Sequence, residues 1–156
     1  MANPLITPLV ISYGTDAPAY YPMAAQHLRG ALSRRGIPHE IQIIPSTGDW
    51  FANCRLKSKY IGDAIERNGC PLAWCDVDCE PVKLDLPRDG WDVAVLRRGG
   101  NFPITAGFIA FSGTAKSLEF ARKWQQIQED NPKFAGDHGA LVQTYLHKPG
   151  STRARP

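Results

Sequence analysis

Short apolar runs alternate with segments of helical period along the first half of the chain, and this alternation restricts the fold more than any other feature. Leu9 to Tyr13 is apolar, closes on Gly14, and reads as a buried strand. Tyr21, Ala24, Ala25, Leu28 and Leu32 then recur at helical spacing, with Gly36 as the stop. Ile41 to Ile44 is a second strand ended by Pro45, and Ser46 to Asn53 reads as a loop carrying Trp50 and Phe51. The spacing of Leu56, Tyr60, Ile61, Ala64 and Ile65 predicts a second helix over Arg55 to Asn68, capped by Gly69. Leu72 to Cys75 is a third strand, and Trp91 to Leu96 and Ile104 to Phe111 are two more. Thr114 opens a helix through Gln128 whose inner stripe is Phe120, Ala121, Trp124 and Ile127, and Asp137 opens a last one through Leu146. A β-α-β-α-β run predicts a wound α/β unit with its ligands outside the carboxyl ends of the strands. Two strands in succession after it break the alternation. They predict a mixed, mostly parallel sheet with at least one antiparallel strand.

At 156 residues, 43% apolar and 21% charged, the chain can bury a core and is not a disordered segment. We expect a single domain over residues 1–150 and a basic tail over 151–156 that holds Arg153 and Arg155. Residues 1–78 carry as many Lys and Arg as Asp and Glu, so the net charge of +3 lies in the second half. A short basic tail, rather than a basic face, is weak ground for a nucleic-acid interface. The apolar run Ile104 to Phe111 falls far short of the ~20 residues of a spanning helix. No basic region opens a cleavable signal. Cys54, Cys70, Cys75 and Cys79 form no C-x-x-C pair and predict reduced, buried thiols in a cytoplasmic protein. No G-x-G-x-x-G follows the first strand, and neither a P-loop nor H-E-x-x-H occurs. Ala110 to Thr114 lacks the first glycine of a nucleophile elbow.

The stretch Leu72-Ala-Trp-Cys-Asp-Val-Asp78 carries the chemistry. An apolar strand runs into two carboxylates two residues apart. If the extended form persists, Asp76 and Asp78 project to one face at the carboxyl end of a central strand. Paired carboxylates repel unless a cation or proton lies between them. A hard divalent ion fits there and also takes diphosphate oxygens.

Four local patterns, in order, resemble GT-A glycosyltransferases, the nucleotide-diphospho-sugar transferase type, over residues 8–147. Val10-Ile-Ser-Tyr-Gly-Thr15 with the helix ending Leu28-Arg-Gly-Ala-Leu32 is similar to the family's opening strand and helix. Lys57-Ser-Lys-Tyr-Ile61 leading to Asp76-Val-Asp78 resembles its Lys-Pro-x-Phe-Ile helix and Asp-x-Asp strand. Thr105-Ala-Gly107 stands where the family has Asn-Ser-Gly, and Gly136-Asp-His-Gly-Ala-Leu141 resembles its Asp-Gln-x-Ala-Leu helix start, with His138 in place of Gln.

The resemblance implies a three-layer α/β sandwich around the mixed sheet. It implies metal-dependent transfer of a sugar from a nucleoside-diphosphate donor to a hydroxyl on a small molecule, glycan, protein or modified nucleic acid. Asp78 is then the direct ligand of Mn²⁺ or Mg²⁺, and Asp76 touches the ribose, the metal or its water. His147 is the late third ligand, with Lys148 on a phosphate. Tyr13, Thr15 and Lys57 surround the nucleotide. Thr105, Ala106 and Gly107 face the sugar, and Asp137 with His138 lies near the anomeric carbon.

Plainer readings stand beside these. Asp137 is an N-cap, Lys57 and Lys59 form a solvated helix face with Asp63, and Trp74 and Trp124 are core. Trp50 and Phe51 cover a ligand or pack under the sheet edge, Tyr20 and Tyr21 pack on their helix, and Arg97 to Gly100 is a polar turn. Two other functions fit the same residues: a nucleotide- or sugar-binding module without turnover, and a phosphoryl or nucleotidyl transferase drawing Glu80 or Asp85 into a two-metal site.

Overall fold

A computed structural model describes residues 4–81, 84–97, 104–131 and 136–146. In chain order the elements are β1 (Leu5–Ile6), β2 (Leu9–Thr15), α1 (Tyr20–Arg34), β3 (His39–Ile44), α2 (Trp50–Asn68), β4 (Leu72–Cys75), β5 (Leu86–Pro87), β6 (Val93–Arg97), β7 (Ile104–Phe111), α3 (Ala115–Asp130) and α4 (His138–Leu146). The two strands absent from the sequence reading, β1 and β5, are two residues each and, among the described residues, pair only with one another. That is too short to show any periodicity.

Among the described residues the main sheet has five strands, in the order β3-β2-β4-β7-β6. β2 is parallel to β3 and β4, whereas β7 runs against both β4 and β6. This is the mixed sheet expected, with β7 as the antiparallel strand. Alternate residues serve opposite faces. Ile11, Leu72, Trp74, Ile109 and Phe111 pack with Ile61, Phe120, Trp124 and Leu141 from α2, α3 and α4. Val10, Ala73, Cys75 and Ala110 pack with Ala25, Leu28 and Leu32 of α1. β4, in the middle, feeds both.

The span expected to be a loop, Ser46 to Asn53, is corrected by the start of α2 at Trp50. Asp49 is extended (φ −119°, ψ 120°), and its carboxylate accepts the Phe51 N–H at 2.9 Å. Trp50 and Phe51 are exposed, so the first turn carries no apolar period; its signal was the cap. Thr114 caps α3 as expected, accepting from the Ser117 N–H. Among the described residues no helix is long and apolar enough to cross a membrane. All four thiols are free, but only Cys75 is buried; Cys54 and Cys70 are half-buried and Cys79 is exposed.

Candidate active site

The site is built where β4 stops before its neighbour does. Cys75, the last residue of β4, pairs with Phe108, while β7 extends back to Ile104. The backbone of β7 past that point needs other partners. Gly107 O accepts from the Asp76 N–H (2.9 Å) and the Gly107 N–H donates to Thr105 Oγ1 (3.1 Å). The Ala106 N–H donates to His138 Nε2 (3.1 Å), and Ala106 O accepts from Lys57 Nζ (3.2 Å). Two helices are thereby tied to one residue of β7.

Asp76 and Asp78 do not stay extended on one face. The Cys79 N–H donates to Asp76 O (2.9 Å), closing a turn with Val77 and Asp78 at its centre. The physical reason is Val77, which joins the core beneath α1 and bends the chain. Asp76 is left half-buried beside β7, and Asp78 is exposed at the tip.

Lys57 overturns its reading as a solvated residue. It is 5% exposed, and its ammonium lies 2.7 Å from Asp76 Oδ1 and pairs with Asp137 Oδ2. It also sits 5.2 Å from the centre of the Trp74 ring. Trp74 Nε1–H donates to the same Asp76 oxygen at 2.7 Å, and the Trp74 side chain is otherwise core, as expected. Lys59 does lie on the surface, paired with Asp63 at 2.6 Å. Burial alone pushes the Lys57 ammonium toward deprotonation, but Asp76 and Asp137 outweigh it and hold its pKa above the ordinary value. Burial likewise pushes Asp137 up. The hydrogen bond with His138 and the charge of Lys57 overcome that and hold its carboxyl well below the usual carboxylate range.

Asp137 stands where an N-cap stands, but its side chain does other work. Its carbonyl accepts from the Leu141 N–H (3.0 Å) and from the Trp124 indole (3.1 Å). Its carboxylate turns toward Lys57 and toward His138 Nδ1, 3.2 Å away.

Several clefts border the Asp76–Cys79 turn, and two of them bear on the site. The first is lined by Tyr13, Thr15, Tyr21, Trp50, Lys57 and Trp74, with Asp76 and Asp78 on its edge. The second is lined by Cys79, Glu80, Leu96, Thr105, Gly107 and Phe108. A Cβ on Gly107 would lie 3.5 Å from Asp76 Oδ2, so this oxygen sits over the glycine that opens on the second cleft. Tyr13, Thr15, Lys57, Asp76 and Asp78 are therefore brought together, while Thr105 and Gly107 face the other side. The Ala106 side chain is buried in the core, and only its backbone reaches the site. Tyr13 forms wall: its hydroxyl donates to Asn53 O (2.6 Å), and burial, then neighbouring acidic groups, push the phenol far up. Burial and the Asp137 charge push the neighbouring Cys54 thiol up to about 11.

Trp50, which the sequence reading left open, forms a rim with Tyr21, which also packs against the core beside α1 as expected. The exposed Trp50 donates its indole N–H to Tyr21 Oη (3.1 Å) and meets Phe51 edge-on at 4.9 Å. The Asp49 cap was the available signal, since it puts Trp50 on the first turn beside the cleft. His147, Lys148, residues 98–100 and the tail 151–156 lie outside the described residues.

Among the described residues no three His, Cys, Asp or Glu side chains are grouped to hold a metal ion. Asp78 and the outer oxygen of Asp76 offer two carboxylate donors. A hard divalent ion brought by a diphosphate needs one or two protein carboxylates and not an all-protein cage.

No family model matches this chain, and no curated protein matches it. Among solved structures it is similar to the crystal structure of a glycosyltransferase involved in the glycosylation of the major capsid of PBCV-1. The TM-score is 0.63 at 17% identity, covering 89% of this chain and 75% of that one. At that identity the likeness establishes architecture: the chain has a glycosyltransferase-like α/β fold.

Proposed function

We propose that the chain is a GT-A glycosyltransferase, with helices layered on both faces of the sheet. In this reading it moves a sugar from a nucleoside-diphosphate donor to a hydroxyl acceptor. The observation that carries the reading is the buried Lys57 ammonium held between Asp76 and Asp137, at the carboxyl end of β4 and beside the aromatic-rimmed cleft. Glycosyl transfer develops positive charge at the anomeric carbon and negative charge on the leaving diphosphate. A buried carboxylate kept ionised at neutral pH suits the first, either facing the carbon or holding a sugar hydroxyl. Asp137 is such a group. Lys57 stays charged, so its part is to orient the two carboxylates and not to exchange protons. Trp50 and Tyr21 offer flat faces to a base at the mouth of the first cleft. The second cleft, whose Gly107 lies next to the Asp76 carboxylate of the first, gives the acceptor hydroxyl its approach. Mn²⁺ or Mg²⁺, held by Asp78 and the outer oxygen of Asp76, would supply the charge that neutralises the leaving diphosphate.

Thermal unfolding against nucleoside diphosphates and their sugars, with and without Mn²⁺, tests this. A ligand at about 100 times its dissociation constant adds about 2.7 kcal/mol, which raises the midpoint of a chain this long by roughly 5–10 °C. We expect a Mn²⁺-dependent rise for diphosphates of one base, release of that diphosphate from its sugar, and loss of the Mn²⁺ component in Asp78→Ala. No rise for any diphosphate, or an Asp78→Ala response equal to the parent's, refutes the reading.

A further inference from the structure

We infer that His138 is a positioning residue: its imidazole, as the Nδ1–H tautomer, closes a hydrogen-bonded ring that fixes the Asp137 carboxylate against β7. The tautomer follows from the partners. The Ala106 N–H points at Nε2 from 3.1 Å, and a nitrogen that accepts from a backbone donor carries no proton. In the neutral ring the proton is then on Nδ1, 3.2 Å from Asp137 Oδ1, where it is donated to the carboxylate.

The other half of the ring runs through Lys57. Its ammonium donates to Ala106 O (3.2 Å) and pairs with Asp137 Oδ2. The two polar groups of Ala106 are thus gripped by two different helices, and both grips end on one carboxylate. With each Asp137 oxygen assigned to its own partner, the carboxylate plane has little freedom to rotate. α4 begins at His138, so the same contacts set where this helix starts along β7. Thr105 Oγ1, 3.5 Å from Nε2, lies beside the ring on the side of the second cleft.

Removing the imidazole opens the ring at two points, leaving the Ala106 N–H and Asp137 Oδ1 without these partners. A carboxamide can rebuild both: its oxygen accepts from Ala106 and its NH₂ donates to Asp137. His138→Gln is therefore the conservative variant and His138→Ala the disruptive one.

The activity arm rests on the proposed function; the ring itself does not. Nitrogen and carbon NMR of the imidazole in the full chain is expected to show the Nδ1–H form at neutral pH, and the Nε2–H form would overturn the inference. Exchange of the Ala106 amide is expected to quicken in His138→Ala and to stay slow in His138→Gln. Diphosphate release is expected to fall on the order of a hundredfold in His138→Ala, the scale of a misplaced reacting group, and to recover in His138→Gln. A glutamine variant as impaired as the alanine one, or an alanine variant equal to the parent, also overturns it. If the parent releases no diphosphate from any donor, the proposed function fails, and the tautomer and the Ala106 exchange still decide the ring.

Discussion

Lys57 shows how one residue can organise a site and yet be misread in a sequence. Lys57 and Lys59 stand two apart on α2 with Asp63 near by, a pattern that looks like a solvated face. Lys59 obeys it, and Lys57 does not, because its partners arrive from Asp76 and from Asp137, eighty residues away. No local pattern encodes such a partner. Breaking a buried pair from one side leaves charge uncompensated, at about 3–5 kcal/mol. Lys57→Met should lose stability on that scale in urea denaturation. Adding Asp137→Asn should return part of it, because the two sites are coupled. Full additivity would mean the pair is not coupled. The pH dependence has a definite sign. Asp137 has its folded pKa depressed, so its contribution is present above the ordinary carboxylate value of about 3.9. It is lost as pH falls through the lower folded value. The parent should therefore lose stability below about pH 5 more steeply than Asp137→Asn; matching slopes would show that Asp137 contributes none of it.

At the scale of elements, strand and helix identity was legible because it rests on local period and caps. β4 and β7 have the boundaries read from their apolar runs, Thr114 opens α3 and Gly69 closes α2, as expected of each. What escaped is what packing decides. The start of α2 has exposed aromatics and so no period, and the turn at Asp76 bends because Val77 finds the core beneath α1. Two glycines separate local conformation from packing. Gly69 has φ 57° with nothing within 4 Å of a would-be Cβ. Gly113 has φ 81°, and a Cβ there would lie 2.7 Å from Cys70 O, a backbone atom that cannot swing away. Gly69→Ala should cost the left-handed penalty alone, about 1–2 kcal/mol. Gly113→Ala should cost more, because the β7–α3 turn or the chain around Cys70 must also shift. Thermal melts of the two variants rank them, and the reverse order would mean that this turn yields freely.

At the scale of the molecule, the two faces of the sheet are unequal, and the inequality determines how the whole unfolds. Trp74, Ile109 and Phe111 are covered by α2, α3 and α4, whereas Ala73 and Ala110 are small and let α1 approach. The alternation along each strand was readable, but which face would be covered by one helix and which by three was not. That depends on the handed crossings between strands, which periodicity does not carry. β4 is the common element: Leu72 and Trp74 belong to one core, Ala73 and Cys75 to the other. A four-residue strand fully buried on both sides cannot lose one core and keep the other. Leu28→Ala beneath α1 and Ile61→Ala beneath α2 remove fully buried side chains from opposite cores, at about 2–5 kcal/mol each. Both variants should still unfold in one step. The buried indoles Trp74 and Trp124 lie in the core away from α1, whereas Trp91 packs on the α1 side and Trp50 is exposed. In a Trp50→Phe, Trp91→Phe background, fluorescence therefore reports the first of these cores while far-ultraviolet circular dichroism reports all the helices. Coincident curves in Leu28→Ala would show that damage beneath α1 reaches the opposite face through β4. Loss of helix signal ahead of fluorescence in that variant would mean that α1 comes away first and that β4 does not couple the cores.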